Sequence, residues 1–271
     1  RSMNYDIAII GAGPSGLSFA ISLRNSGLNI AVIEKLSSEE LANPAIDGRD
    51  IALTHLSRKL MQQQGSWQRV AARQISPIET AEVSDGDSPY ALSFQTPDDD
   101  SDALGFLISN HLIRKAIYEE FATLDNVALL DECEVKQVYS DDDSATITLT
   151  NGEVISAALV VAADTRFSSS RQQMGISADY HDFGRTAIVC EAEHELSHHH
   201  TAFECFHYGR TLAVLPMPGN TSSIVITVPS SQAQDVMAMD EDSFNQDIED
   251  RLDHKLGKMK LIGQRYLYPL V

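Results

Sequence analysis

The chain has 271 residues, 43% of them hydrophobic, and a formal net charge of -19, which suits a soluble globular protein of one large or two modest domains. This charge disfavours contact with nucleic-acid phosphates and with an anionic membrane surface. The apolar runs fall far short of the roughly 20 residues that span a bilayer, so no transmembrane segment is predicted. Three cysteines without CxxC spacing indicate a reducing, cytoplasmic location.

The amino-terminal region predicts a strand, a tight turn, a helix and a second strand. Asp6–Ile10 is a short run rich in isoleucine, and Pro14 opens a helix that ends before Gly27. Leu28–Ile33 is the second strand. This order is that of a βαβ unit with a parallel sheet.

The middle of the chain predicts further helices and strands. Mostly helical structure is predicted over 49–75, strands over 79–83 and 90–94, and a helix over 111–124 capped by Asn110. Strands follow at 133–139, 145–150 and 153–161, with a hairpin turn at Asn151-Gly152.

Strands dominate after residue 183. They are predicted over 186–193, 201–208, 210–215, 222–228 and 260–268, with a helix over 241–256 capped by Asp240. We therefore predict two domains. The first covers 3–182, is discontinuous and includes a substrate region near 76–108, and the second covers 183–271 and is built on an antiparallel sheet.

Two acidic runs and a histidine cluster are the other conspicuous polar features. Asp98–Asp102 and Asp141–Asp143 are interpreted as solvated loop tips. His194 and His198–His200 invite a zinc interpretation, but three adjacent histidines on a strand cannot all point one way. We predict an exposed turn there and no metal site.

A glycine-rich turn carries the strongest functional signal. Gly11-Ala12-Gly13-Pro14-Ser15-Gly16 fits the GxGxxG pattern directly after a strand and at a helix start. The first glycine permits the tight turn, the second lets a pyrophosphate approach the backbone, and the third lets helix and strand pack closely. The helix amino terminus then faces the phosphates with free N–H groups and a favourable dipole.

Glu34 ends the second strand at the position expected for an acidic residue that binds ribose hydroxyls. A carboxylate there would repel a 2′-phosphate, so NADP is a poor fit to this site. The turn alone does not separate FAD from NAD. The alternative is an ordinary βαβ unit with a glycine-rich turn.

A second motif lies at 159–171, where a buried strand delivers Asp164 to a turn. An aspartate at the carboxyl end of a strand can reach a sugar or ribityl hydroxyl of a cofactor. Ser168 can cap the following turn, and Arg171 can contact Asp164 or a phosphate. Alone, the pattern is equally typical of a strand that ends in a capped turn.

Together the two motifs resemble the class A flavoprotein aromatic hydroxylases, and within them the UbiH/UbiF/VisC group of ubiquinone-biosynthesis hydroxylases with its UbiM branch. The segment Gly48-Arg49-Asp50-Ile51-Ala52-Leu53, the Leu215–Pro218 strand and the closing Tyr268–Val271 also fit. The resemblance covers nearly all of 3–271. It implies an α/β fold with a Rossmann-like FAD-binding domain and an antiparallel-sheet substrate domain, as in para-hydroxybenzoate hydroxylase.

The resemblance also implies the cofactor and its contacts. FAD is the expected cofactor, with NAD(P)H as co-substrate. Arg49 would lie near the flavin or its pyrophosphate, Arg114 would face the cofactor from its helix, and the backbone at Val135 would meet the adenine. The expected cofactor-binding residues are Gly11, Gly13, Pro14, Ser15, Gly16, Glu34, Lys35, Arg49, Arg114, Val135 and Asp164. Without the resemblance, Arg49 and Arg114 would each be interpreted as a member of a surface ion pair. The sequence identifies no catalytic side chain.

The implied reaction is hydroxylation of the ring of a polyprenylated phenol in ubiquinone biosynthesis through a flavin C4a-hydroperoxide. The flavin carries that chemistry, while the protein orients the substrate and excludes water. The implied partners are the phenol and an assembly of ubiquinone-biosynthesis proteins, which would also provide any contact with the inner membrane.

The sequence departs from the family pattern in two places. Thr165 stands where the family has glycine after the aspartate, and threonine does not readily adopt positive φ, so this turn is expected to be reshaped. The chain also stops before the family's third, Gly-Asp motif, so a truncated form that binds FAD weakly or not at all, and is inactive, is expected. A non-hydroxylating FAD or NAD oxidoreductase and a non-catalytic module of a protein assembly remain as alternatives.

Overall fold

The computed structural model describes residues 2–96, 103–207 and 209–271. Sixteen strands lie in these ranges: β1 Ser2–Ile10, β2 Ile30–Ile33, β3 Asp50–Leu53, β4 Ser76–Ile78, β5 Thr80–Asp85, β6 Ala91–Gln95, β7 Gly105–Ser109, β8 Val127–Leu130, β9 Val135–Ser140, β10 Ala145–Leu149, β11 Val154–Ala162, β12 Arg185–His194, β13 Thr201–His207, β14 Arg210–Pro216, β15 Thr221–Pro229 and β16 Met259–Leu270. The α-helices in the same ranges are α1 Pro14–Ser22, α2 Ser38–Ala42, α3 His55–Gln64, α4 Asn110–Phe121, α5 Ser169–Gln173, α6 Ala233–Ala238 and α7 Glu241–Arg251. Every helix in the described ranges is too short or too polar to cross a membrane.

The chain divides into two compact units, each assembled from separated segments. The first unit contains residues 1–45, 60–69 and 111–179, and the second contains 46–59, 70–110 and 180–271. The segments 46–59 and 70–110 thus belong to the second unit, although they lie inside the range predicted for the first domain. The reason is long-range strand pairing, since β5 pairs in parallel with β13, and local sequence patterns do not report such pairing.

The first unit is built on a six-stranded sheet in the order β8-β2-β1-β11-β10-β9. The neighbours β8, β2, β1 and β11 pair in parallel, while β10 pairs antiparallel with β11 and β9. All four residues of β2 are buried because this strand lies inside the sheet. The predicted βαβ start and the Asn151-Gly152 hairpin are confirmed.

The second unit contains a seven-stranded sheet in the order β16-β12-β15-β14-β13-β5-β6 and a three-stranded sheet in the order β3-β7-β4. One face of the larger sheet packs on α6 and α7. Ile188, Leu212 and Ile226 from the strands and Phe244 and Ile248 from α7 share that core. Asp240 caps α7, as predicted, by accepting a hydrogen bond from the Ser243 N–H at 2.8 Å.

Two predicted elements differ from the structure. The stretch 49–75 was predicted as mostly helical, yet it begins with β3, whose residues pair with β7. Helix is confined to α3 and to two short 3₁₀ turns. The apolar residues of β3 have helix-like spacing with those of α3, so the periodicity misassigned the first four residues.

The histidine cluster is only in part an exposed turn: residues 199–200 form a turn with His199 exposed, but the other predicted members are not exposed. His194 and His198 are buried, and the His194 ring nitrogens hydrogen-bond with the Leu196 carbonyl and the Ser222 hydroxyl. The acidic run 141–143 is exposed, as predicted. The run 98–102 lies outside the described residues, as does the last residue of the strand predicted over 201–208.

Candidate nucleotide-binding site

The glycine-rich turn brings the backbone of three segments into contact. Gly11 follows β1 with φ of +105°, and a Cβ there would lie 2.3 Å from the Ala163 carbonyl oxygen. A Cβ on Gly16 would lie 2.1 Å from the Gly11 carbonyl oxygen. Side chains cannot fit at either position, so these two glycines allow α1 to pack directly against the turn and the end of β11.

Gly13 has the opposite environment. A Cβ built on it meets nothing within 4 Å, so the space in front of this residue is open. Gly13 occupies the position before α1, and no side chain among the described residues caps this helix end. The first N–H groups of a helix have no partner within the helix. They therefore remain available to an anion, and the helix dipole favours one there.

Glu34 points back at the same turn. One carboxylate oxygen accepts a hydrogen bond from the Ala12 N–H at 2.7 Å, and the other accepts from the Leu36 N–H at 3.0 Å. These bonds hold the carboxylate beside the glycine turn. Each oxygen retains a lone pair, which can accept a bond from a sugar hydroxyl.

A cavity of about 340 Å³ lies at this edge of the first unit. Gly11, Glu34 and Lys35 line one side of it, and Val135 lines another. The segment before Val135 follows the end of β2, because the Cys133 N–H donates to the Glu34 carbonyl at 2.8 Å. We call this space the edge cavity.

Lys35 is paired rather than aimed at an anion. Its ammonium lies 3.0 Å from the Glu134 carboxylate, and 71% of the Lys35 side chain is exposed. An exposed pair of this kind contributes little stability and can open at small cost. The lysine can therefore turn towards a bound ligand.

The second motif also lines the edge cavity. Asp164 is half-buried and borders both this cavity and a second one that Ser15 lines on the other side. The turn after it is built by hydroxyls: the Thr165 Oγ accepts from the Phe167 N–H at 3.2 Å, and the Ser168 Oγ accepts from the Arg171 N–H at 2.9 Å. The capping role predicted for Ser168 is confirmed.

Thr165 does not adopt positive φ, so the turn keeps a conformation that threonine tolerates. Arg171 donates to the Ile176 carbonyl at 3.4 Å, within its own segment. The turn is thus stabilised by its own hydroxyl groups, without the conformational freedom of a glycine.

Two predicted residues are not among those that line the edge cavity in the part of the chain that the structure describes. Arg49 belongs to the second unit, where its guanidinium pairs with Asp47 and lies 5.5 Å from the centre of the Tyr268 ring. Hydrogen bonds to Asp47 raise the pKa of Arg49, so it is a fixed cation. Arg114 is a half-buried residue of α4 in the first unit. Neither is among the described residues that line the edge cavity, and their contact with a cofactor stays a prediction.

Sequence reasoning missed several residues of the edge cavity. Cys133, Phe167, Ser169 and Ser170 line it. The last three lie inside the second motif at 159–171 but were not among the expected cofactor-binding residues, and no pattern marks Cys133. These four residues reach it because β9 and α5 come together, since the Gln173 side chain accepts from the Val138 N–H at 2.7 Å. Only the folded chain reveals this proximity.

The donors and acceptors of this edge fit a dinucleotide. Open backbone amides at Gly13 suit a diphosphate, and the carboxylate of Glu34 suits ribose hydroxyls. Asp164, which lines the same cavity, offers a second carboxylate that suits a hydroxyl group. The set fits the adenosine diphosphate part of FAD, which these residues would hold.

Comparison with known proteins agrees with this geometry. Residues 4–265 match the family model described as "FAD binding domain". The chain is 44% identical over 274 residues to a protein of Neisseria meningitidis named ubiquinone hydroxylase UbiM, covering all of this chain and 59% of that protein. It is 33% identical to ubiquinone hydroxylase UbiL of Rhodospirillum rubrum, covering 98% of this chain and 61% of that protein. The chain thus spans about three fifths of the length of these relatives.

Solved structures show the same fold. PqsL of Pseudomonas aeruginosa in complex with 2-aminobenzoylacetate superposes with a TM-score of 0.77 at 19% identity, covering 96% of this chain and 73% of that one. The flavin-dependent monooxygenase PieE in complex with FAD and substrate gives a TM-score of 0.78 at 16% identity, covering 99% of this chain and 50% of that one. With FAD as the cofactor that its glycine turn, Glu34 and Asp164 suit, the chain belongs to the FAD-binding domain family of flavoproteins.

Proposed function

We propose that the protein is an FAD-dependent monooxygenase that hydroxylates the aromatic ring of a polyprenylated phenol or quinone intermediate of ubiquinone biosynthesis. NAD(P)H and O₂ are its co-substrates. One observation carries the proposal: a chain with an open diphosphate site beside Glu34 is 44% identical to a ubiquinone hydroxylase along its whole length. Relatives named for ubiquinone biosynthesis recur at lower identity, including a 3-demethoxyubiquinol 3-hydroxylase of Escherichia coli at 24%.

The residues of the first unit bind and orient the cofactor. Bound FAD supplies hydride acceptance and the activation of O₂. The amides at the start of α1 hold the diphosphate, Glu34 holds the ribose, and Asp164 holds a further hydroxyl of the cofactor. Lys35, Val135 and, from α4, Arg114 complete the contacts that we propose for the first unit. Arg49 is the contact that we propose from the second.

The partners and location follow from the same proposal. The substrate is an apolar phenol, and the protein works in the cytoplasm. Contact with the inner membrane is made through other ubiquinone-biosynthesis proteins, since the net charge of -19 opposes direct docking on anionic lipid.

Product formation tests the proposal. The FAD-loaded protein is mixed with a prenylated phenol, NADH or NADPH, and isotopically labelled O₂. The expected product carries one labelled oxygen atom on the ring, and its formation requires both the reductant and the phenol. Flavin reduction with no labelled product would instead support a non-hydroxylating oxidoreductase, and absence of bound flavin would support a non-catalytic module.

A variant pair tests the cofactor site itself. Glu34→Gln keeps the size of the side chain but weakens its bonds to ribose hydroxyls and to the Ala12 amide. We expect FAD affinity to fall about tenfold, as for loss of a charged hydrogen-bond acceptor. Glu153→Gln, an exposed residue of the β10–β11 turn, is the matched control and should bind FAD as the unmodified protein does. Equal affinity in both variants would contradict the ribose role.

A further inference from the structure

The larger sheet of the second unit has one face that α6 and α7 do not cover. Side chains alternate between the two faces of a strand, and cross-strand partners point the same way. Because Ile188, Cys190 and Ala192 of β12 belong to the core with α6 and α7, Val189 and Glu191 lie on the other face. We call it the open face.

Strand register places Glu191 in an almost entirely apolar row of this face. Its direct partners are Ser223 on β15 and Ile262 on β16. The row continues from Ser223 to Leu215 on β14. A carboxylate in such surroundings loses hydration, which costs free energy unless a partner replaces the water.

Residues 46–50 cover the open face beside Glu191. The Tyr266 and Tyr268 side chains, which stand on this face, reach up to that segment: the Tyr268 hydroxyl donates to the Asp47 carbonyl, and a Cβ on Gly48 would overlap the Tyr266 ring. Asp50, at the end of the segment, accepts from the Ser109 hydroxyl at 2.7 Å. Glu191 thus lies where an apolar sheet face meets a covering segment.

The Glu191 carboxylate has no hydrogen-bond donor among residues 2–96, 103–207 and 209–271. Burial, with a smaller contribution from the charge of Asp50, raises the pKa of this carboxyl to about 6. Its facing neighbours on β15 and β16 are uncharged, so Asp50 from β3 is the titratable group opposed to it. Polar groups that are half-buried and unpaired in apolar surroundings are candidates for ligand binding.

We propose that the Glu191 carboxylate accepts a hydrogen bond from the hydroxyl group of the phenol substrate, whose ring lies on the apolar open face. This inference rests on the proposed function and names a substrate-binding residue for it. A carboxylate acceptor polarises the phenolic O–H bond and raises the electron density of the ring, which favours attack on an electrophilic oxygen. The apolar neighbours Val189 and Leu215 exclude water from the ring.

Glu204 is the competing acceptor on the same face. It is half-buried on β13, and burial raises its pKa as well. Glu204 pairs with Ala213 on β14, and this row of side chains continues through Val225 on β15 to Val189 on β12. It is the row next to that of Glu191. Glu204 lies on the third strand from β12, at a distance of roughly 14 Å by strand spacing, and towards the edge strand β6. The covering segment therefore favours Glu191.

A ligand pair and a variant set test the proposal. The probes are a 2-alkylphenol and its methyl ether, which differ in the hydroxyl hydrogen, and the readout is the change in flavin absorbance of the FAD-loaded protein. The unmodified protein should bind the phenol about tenfold more tightly than the ether. In Glu191→Gln the affinity for the phenol should fall about tenfold, and the preference for the phenol over the ether should shrink, because an amide oxygen accepts a hydrogen bond more weakly than a carboxylate does.

Two control variants locate the effect. Glu204→Gln and Glu193→Gln, the latter an exposed residue on the same strand as Glu191, should keep the unmodified ratio of phenol to ether affinity.

Below pH 6 the unmodified protein should lose its preference for the phenol, whereas Glu191→Gln should show no change with pH. Glu191→Asp should restore part of the preference.

The outcomes separate this inference from the proposed function. If Glu191→Gln retains the unmodified ratio, or if Glu204→Gln abolishes it, the role of Glu191 is refuted even when labelled product forms. If the ratio depends on Glu191 but no labelled product forms, the binding role stands and the hydroxylase proposal fails. If the unmodified protein binds neither probe, the binding role is refuted.

Discussion

Two alanine substitutions in the glycine turn should separate folding from cofactor binding. At Gly13 the backbone has φ of -74° and ψ of 179°, which alanine adopts freely, and the added Cβ meets nothing within 4 Å. Alanine lowers the conformational entropy of the unfolded chain, which stabilises the folded protein by about 0.5 kcal/mol. Alanine is also less favourable than glycine at the position before a helix, which costs about the same amount. Gly13→Ala should therefore leave the free energy of unfolding nearly unchanged.

Gly16→Ala should behave differently. Its Cβ would lie 2.1 Å from the Gly11 carbonyl oxygen, and the atom in the way is backbone, which cannot rotate aside. Either α1 or the turn must move. Overpacking of this kind costs about 2 kcal/mol, so the midpoint of denaturation should fall clearly.

Gly13→Ala should weaken FAD binding although it leaves the free energy of unfolding nearly unchanged. The methyl group of Gly13→Ala fills the open space through which a diphosphate approaches the helix amides. Loss of one charge-assisted hydrogen bond, about 2 to 3 kcal/mol, predicts a roughly 100-fold weaker FAD affinity. A structural variant such as Gly16→Ala loses FAD affinity together with stability.

Urea denaturation of the flavin-free protein and titration with FAD measure the two effects separately. The reasoning predicts a stable Gly13→Ala that does not bind FAD well. It is refuted if Gly13→Ala binds FAD like the unmodified protein, or if it loses as much stability as Gly16→Ala.

Three further substitutions have defined outcomes. Glu120 is buried between Arg24, at 2.5 Å, and Arg69, at 2.7 Å, and these bonds outweigh burial and lower its pKa. Glu120→Gln should cost about 2 kcal/mol of unfolding free energy at neutral pH, discounted because both arginines are partly exposed, and an unchanged urea midpoint would contradict this. The folded-state pKa of Glu191, about 6, lies above its ordinary 4.5, so the contribution of this residue to stability should decline as pH rises from 4.5 to 6, by about 1 kcal/mol or less once solvent screening of the half-exposed carboxylate is counted. Glu191→Gln should remove that decline, which pH-dependent denaturation would detect. Asp240→Ala removes the cap of α7 and should lower the urea midpoint in the same assay, whereas Asp242→Ala, an exposed substitution that leaves the cap in place, should lower it less.

Local patterns predicted the geometry of the glycine-rich turn well, for a physical reason. Its chemistry is contained in six consecutive residues, and steric limits on φ and on close backbone approach restrict Gly11 and Gly16 to glycine. The position of Glu34 was predictable because the length of one βαβ unit sets the distance along the chain from the glycine turn to the end of the second strand. Ser168 and Asp240 were predictable because a cap bonds within three residues of itself.

Elements defined by distant pairing were not predictable in the same way. β3 reads as the start of a helix, and only its pairing with β7 makes it a strand. The two-unit division depends on β5 joining β13 across more than a hundred residues of chain. Strand pairing over such separations depends on the whole sheet, which no local window contains.

The sequence by itself determined the family, the glycine-rich turn and the position of the acidic residue beside it, because those features depend on short-range backbone geometry. Only the tertiary structure decided that Arg49 pairs with Asp47 and that His194 is buried. It also decided that Glu191 lies unpaired on an apolar sheet face, since the solvation of a carboxylate is set by neighbours that strand register brings from distant parts of the chain.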